Sequence, residues 1–198
     1  AATQSGDDTT LTGREIMKAV VERREGEHLR REMTIKLIDS TGTERVQETQ
    51  VFRKRFGPEK RLAVYYTAPT TVADTAFLTY DYADPSVDDD QWLYLPALRK
   101  VRRISASDRG DFFLGTDFTY EEIKKDNKIE LADYNYQRIR TERIRDVTTY
   151  KVEGVPKTEQ IAEELGYRRV VWYVDPKRDV FLRSEFWDTN SNHARTLH

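Results

Sequence analysis

Cysteine is absent from the 198 residues. Disulfides, zinc thiolates and thiol nucleophiles are therefore excluded. The compartment stays open on this point, because a cysteine-free chain is as safe in an oxidising envelope as in a reducing cytosol. Histidine is scarce: His28, His193 and His198 are scattered, and none has a carboxylate or second histidine at ligand spacing. A metal centre or a histidine-based triad needs a converging set of such groups. The GxSxG elbow, HExxH, the Walker loop and the dinucleotide fingerprint are also missing. No apolar run approaches the ~18 residues of a membrane span. The 33 basic and 35 acidic side chains nearly cancel to a net charge of −2. Nucleic acid is a poor partner for such a chain, since phosphates call for a basic excess on one face. The expectation is a protein with no catalysis, no cofactor, no metal, no nucleic-acid partner and no membrane-spanning segment.

What is present is period. Residues 1–10 are polar and read as a flexible N-terminal segment. Thr12 and Glu15 then form a capping box, with Leu11 and Ile16 as its hydrophobic staple. Ile16, Ala19 and Val20 make one narrow apolar stripe, which predicts a helix over Gly13 to Glu25 closed by Gly26. From Arg30 the period changes to two. Met33, Ile35 and Leu37 alternate with Thr34 and Lys36, DSTGT turns, and a long strand runs from Arg45 to Phe56. Gly57-Pro58 and Ala68-Pro69 punctuate a third strand over Arg61 to Tyr66. A fourth covers Ala76 to Tyr82, and further strands fall at Trp92–Leu95 and Lys100–Ile104. Thr119 and Glu122 are a second capping box, so a short helix starts at Tyr120. Strands at Tyr134–Arg143, Thr148–Glu153, Arg168–Val174 and Val180–Trp187 follow, with a short helix at Thr158–Leu165. Nine or ten strands joined by short turns, with no alternating βαβ order, predict a mainly β (α+β) antiparallel fold. No linker or repeat divides the chain, so 1–198 reads as a single domain.

Three motifs invite chemistry. Asp88-Asp89-Asp90 suggests calcium, but the alternating spacing of an EF-hand is missing and a solvated turn is the better reading. Arg109-Gly110-Asp111 is a tripeptide frequent by chance. The basic strand Arg99, Lys100, Arg102, Arg103 reads first as a strand with Val101 and Ile104 partly buried and its charges paired to neighbouring acids. Contact with anionic headgroups or an acidic partner is the other reading. The aromatic set, 11 Tyr, 8 Phe and 3 Trp, is more telling. Aliphatics are few for so large a sheet, which leaves one face without a second layer and suited to an apolar ligand. The expected wall is Met33, Ile35, Phe52, Val64, Phe77, Leu78, Trp92 and Tyr94. Phe112 and Phe113 join it from the loop Ser105–Phe118, where adjacency lets only one ring point inward. Gly110 and Gly115 bracket them. Either the loop is a flap that closes over an acyl chain, or its rings pin it to the sheet.

The run from Asp89-Asp90-Gln91-Trp92-Leu93-Tyr94-Leu95-Pro96, through Arg99 to Ile104, Asp108-Arg109-Gly110-Asp111 and Gly115-Thr116-Asp117-Phe118-Thr119-Tyr120-Glu121-Glu122, resembles a family. It is similar to the periplasmic outer-membrane lipoprotein-sorting proteins related to LolA, in the branch associated with RND-type exporters. Ala73 to Leu78 also matches, except that Asp74 stands where the family has glycine. The resemblance implies a strongly curved antiparallel sheet forming an incomplete, half-open β-barrel with helices on its concave side. It implies a periplasmic carrier in a Gram-negative-type envelope, its signal peptide removed, that shelters lipid or lipoprotein acyl chains. An RND-type exporter or an outer-membrane acceptor is the implied partner, and no catalytic residue carries over. An exporter accessory that binds protein, its concavity filled by its own side chains, is the alternative. The family continues with further strands, so its C-terminal strands are expected to be missing after 198, leaving an unpaired edge that could pair with another copy.

Overall fold

The computed structural model describes residues 11–84, 86–109, 111–126 and 129–198. The expected flexible segment 1–10 and the bracketing Gly110 lie outside the described residues. The order is α1 (Gly13–Glu22), β1 (His28–Ile38), β2 (Glu44–Phe56), β3 (Glu59–Ala68), β4 (Ala76–Asp81), β5 (Asp90–Leu95) and β6 (Lys100–Arg103). Then come α2 (Tyr120–Lys125), β7 (Tyr134–Ile144), β8 (Val147–Pro156), α3 (Glu159–Leu165), β9 (Tyr167–Asp175), β10 (Val180–Asp188) and β11 (His193–Leu197). The fold is mainly β, in two antiparallel sheets, neither closed on itself. The chain divides into two compact units, one between residues 25 and 127 and one formed by the residues on either side.

The central unit is a six-stranded meander, β1-β2-β3-β4-β5-β6. Its turns follow local chemistry. The Asp39 carboxylate accepts from the amides of Thr41 and Thr43 at 2.9 and 3.0 Å, and Gly42 takes φ +84°. Gly57, at φ +65°, closes the next hairpin at the expected Gly-Pro. Burial then alternates along β1 to β5, while β6 is exposed throughout. On β2, Gln47, Thr49, Val51 and Arg53 are buried, while Val46, Phe52 and Phe56 are exposed.

The flanking unit is a five-stranded sheet, β11-β10-β9-β8-β7. Its central strand β9 is buried on both faces from Val170 to Val174. Helix α1 lies on β7 and β8, burying Ile16 and Met17 with Tyr134, Val152 and Trp172. Two glycines permit that packing. A Cβ on Gly13 would meet the backbone of Arg138 at 2.8 Å, and one on Gly154 would meet the Trp172 indole.

Both capping boxes form as the sequence predicts. Helix α1, however, ends at Glu22 and not at Glu25. Arg23 turns extended at ψ 130°, its amide bonding the Val20 carbonyl, and Gly26 does not close the helix. Residues 21–28 are exposed, so no packing holds them helical. His193–Leu197 pairs with β10 as an eleventh strand. Among the described residues no helix is long and apolar enough to cross a membrane.

Candidate functional site: the covered face of the six-stranded sheet

Register alone sorts the central sheet into rows. One row across β1 to β6 runs Arg31, Val51, Val64, Phe77, Leu93, Arg102. The next row on the same face runs Arg53, Leu62, Thr79, Gln91. On the other side of the apolar row lie Met33, Thr49 and Tyr66. Val51, Leu62, Val64, Tyr66, Phe77 and Leu93 are almost wholly buried, making an apolar band bordered by polar groups.

A loop and one short helix cover this band. Phe113 is 1% exposed, and its ring lies 5.1 Å from Phe77, 5.3 Å from Tyr120 and 6.3 Å from Tyr66. Leu114, Phe118 and Ile123 pack beside it. The loop is tied to itself: the Phe113 amide donates to the Phe118 carbonyl at 2.6 Å, and the buried Thr116 hydroxyl donates to the Phe113 carbonyl at 2.7 Å. Gly115, at φ +76°, and Leu114, at φ +47°, make the reversal. Phe112 points the other way and is 68% exposed, as adjacency requires.

Ion pairs latch the cover over the polar row. Asp126 caps α2 in the left-handed conformation, and its buried carboxylate receives Arg31 at 2.6 Å and Arg53 at 3.3 Å. Arg53 also meets Glu25 at 2.6 Å. The Lys60 ammonium donates to the Lys124 carbonyl at 2.9 Å and pairs with Asp81 at 3.3 Å. Lys124 in turn pairs with Asp89 and with Glu121. Burial would raise the Asp89 carboxyl. The hydrogen bonds from Lys124 and the Tyr82 amide and the charges of Lys124 and Arg109 outweigh it, and hold Asp89 below the ordinary carboxylate value. For Lys124, burial would lower the ammonium, and the bonds to Asp89 and Glu121 raise it instead. Tyr66 is pushed upward, first by burial and then by Tyr120.

The acidic triplet is thus a latch and not a solvated turn: Asp88 is exposed, Asp89 holds Lys124, and Asp90 pairs with Arg103 and accepts from the Tyr82 hydroxyl at 2.9 Å. The basic strand does pair with acids, Arg102 with Asp108 at 2.8 Å. Its apolar members divide: Ile104 is buried, but Val101 is 65% exposed and not partly buried.

The residues expected to form one wall lie on two faces. Met33, Ile35, Val64 and Phe77 share the covered face. Phe52, Leu78, Trp92 and Tyr94 share the opposite one, with Phe52, Leu78 and Trp92 in a single row. On that face Arg61 stands over the rings of Phe56 and Tyr80 at 4.2 Å each. The residues the sequence reading left out are Val51, Leu62, Tyr66 and Leu93 of the band and Tyr120 of its cover. The lone Val51 on its parity, and Leu93 opposite in phase to Trp92 and Tyr94, were the available signals. Among the described residues no group of three His, Cys, Asp or Glu side chains is placed to hold a metal ion.

The architecture belongs to the LolA-like class. It is shared with a domain from Vibrio parahaemolyticus proposed as an outer membrane lipoprotein-sorting protein (TM-score 0.64, 26% identity, 93% of this chain and 75% of that one). A DUF1329 family protein from Desulfovibrio piger superposes at TM-score 0.65 with 24% identity, over 91% of this chain and 74% of that one. A LolA superfamily protein from Nitrosomonas europaea gives 0.51 with 20% identity, over 94% and 76%. A family model described as "Uncharacterized protein" matches residues 58–198, and the chain belongs to that family. No curated protein matches the sequence.

Proposed function

We propose that this protein is a periplasmic, non-catalytic carrier of lipid or lipoprotein acyl chains, with the covered face of the six-stranded sheet as the ligand wall. The observation that carries the reading is the nature of the cover. The apolar band is closed within the central unit by one loop and a six-residue helix, with the single ring of Phe113 at its centre. An acyl chain would take the place of that ring. Each methylene it buries contributes ~0.8 kcal/mol, so ten would offset several kcal/mol of displaced packing. Met33, Ile35, Val64, Phe77 and Phe113 remain in the proposed site. Phe52, Leu78, Trp92 and Tyr94 leave it because they point from the other face. The similarity to a lipoprotein-sorting domain supports the same class of cargo. The reading treats 1–198 as one LolA-like domain.

A second reading has its own support. Phe113 and Tyr120 already fill the band, as expected of an interaction module whose concavity is closed by its own side chains. Its partner would be a protein such as an RND-type exporter or an outer-membrane acceptor. Native mass spectrometry after mild extraction separates the two. The carrier reading expects bound acyl lipid and one-to-one uptake of a fluorescent fatty-acid probe. Lipid-free protein that takes up no probe would leave the interaction module.

A further inference from the structure

The polar row beside the apolar band contains groups that the ion-pair latch does not use. Thr79 and Gln91 are direct partners across β4 and β5, on the covered face, and both are 0% exposed. Among the described residues the Thr79 hydroxyl and both ends of the Gln91 carboxamide have no hydrogen-bond partner. A buried polar group left unmet costs about 1–3 kcal/mol. Three such atoms on two facing side chains are therefore an exception that needs a partner. Their neighbours exclude a charged one. Lys60 is matched by Asp81, Lys124 by Asp89 and Glu121, and Arg53 by Glu25 and Asp126. Among the described residues each of these cations already meets an acid, which leaves none of them for an anionic headgroup. What is left is the Arg53 Nε–H, on a guanidinium whose charge Glu25 and Asp126 already meet, and a larger uncharged set: two amide N–H donors, one amide acceptor, and a hydroxyl that serves as either.

From this geometry we infer that Thr79 and Gln91 form a subsite for the neutral ester or amide junction of an acylated ligand, where the acyl chain meets its polar head. The inference rests on the carrier reading and names the chemistry of its cargo. Phe77 and Leu93 lie two residues along the same strands from Thr79 and Gln91, a step of roughly 6.5–7 Å. A chain lying on the band would therefore bring its first polar atoms to the row. A carbonyl there accepts from the Gln91 amide, and a hydroxyl or N–H donates to the Gln91 or Thr79 oxygen. An acylglycerol ester and an N-acyl amide both satisfy this pattern, and a free carboxylate does not, because it lacks the donor and brings an unmatched charge.

The test is competition against a fluorescent fatty-acid probe by monopalmitoylglycerol and by palmitate, with wild type, Gln91→Leu and Thr79→Val. Wild type should prefer monopalmitoylglycerol, and Gln91→Leu should lose roughly ten- to thirtyfold of that affinity, as expected for one or two bonds to buried groups. Palmitate binding should be unchanged, and the thermal midpoint unchanged or raised, since a buried orphan has been removed. Thr79→Val should lose part of the preference and gives the same reading if the Leu variant does not fold. Unaltered monopalmitoylglycerol binding in a folded variant would overturn the subsite, with ordered water alone meeting the row. A wild-type preference for palmitate would overturn the neutral class. Wild type that binds the probe but shows no preference defeats only the subsite, whereas failure to bind any acyl probe defeats the carrier reading and this inference together.

Discussion

Truncating Phe113 to alanine tests whether the cover is also the gate. The ring is 1% exposed and meets three aromatic rings within 6.3 Å. Removing such a ring leaves a cavity and costs about 3–5 kcal/mol of stability. Phe112→Ala is the internal control, because its ring is 68% exposed; its cost should stay within about 0.5 kcal/mol. The carrier reading adds a second consequence of opposite sign. If an acyl chain displaces the ring, whatever packing is given up on binding is subtracted from affinity. Surrender of half of it, about 1.5–2.5 kcal/mol, means that truncation tightens the probe by roughly ten- to sixtyfold. Urea unfolding reads the first effect and fluorescence titration the second. A variant that is destabilised while its probe affinity is unchanged or weaker would refute the displacement argument. One that is not destabilised would refute the packing argument itself.

The latch gives a pH dependence whose sign follows from its two partners. Asp89 lies below its ordinary 3.8, so its contribution is present above that pH and is lost as the pH falls further. Lys124 lies above its ordinary 10.5, so its contribution is full below that pH and is lost as the pH rises beyond it. Urea midpoints should therefore hold level between the two limits, and Lys124→Met should lower that plateau while flattening both flanks. Gly13→Ala places a methyl 2.8 Å from backbone that cannot rotate away; denaturation should show a loss of about 1–3 kcal/mol, while Gly26→Ala, exposed and with its nearest atom at 3.4 Å, should change little. Gly154→Ala drives a methyl into the Trp172 indole; near-ultraviolet circular dichroism should register the displaced ring, and an unchanged spectrum would mean that the indole has room to yield.

Local features were legible because their causes are local. Thr12 with Glu15, and Thr119 with Glu122, satisfy helix donors within four residues, so both helix starts could be read from the string of residues. Gly57 and the Asp39 turn are of the same kind. The end of α1 was not, because Gly26 signals a stop only if packing carries the helix that far. The strand at His193–Leu197 depends on pairing with β10, and nothing in five mixed residues announces that partner.

The face of each strand was the hardest thing to read, and β2 shows why. Its larger apolar side chains, Val46, Phe52 and Phe56, share one parity, so hydrophobicity alone turns that parity inward. The sheet buries the other one, Gln47, Thr49, Val51 and Arg53. Arg53 is tolerated there because Glu25 and Asp126, 28 and 73 positions away, meet its guanidinium. The exposed rings are partly offset by cations, with Arg30 of β1 over Phe52 at 5.8 Å and Lys54 of β2 itself over Phe56 at 4.8 Å. A buried charge becomes affordable only through partners distant in sequence, and removing one partner costs about 3–5 kcal/mol. Parity in this sheet is therefore a property of the ion-pair network as much as of the strands. The same network sets the polar border of the apolar band, so the residues announce an apolar face before they show which side of the sheet carries it.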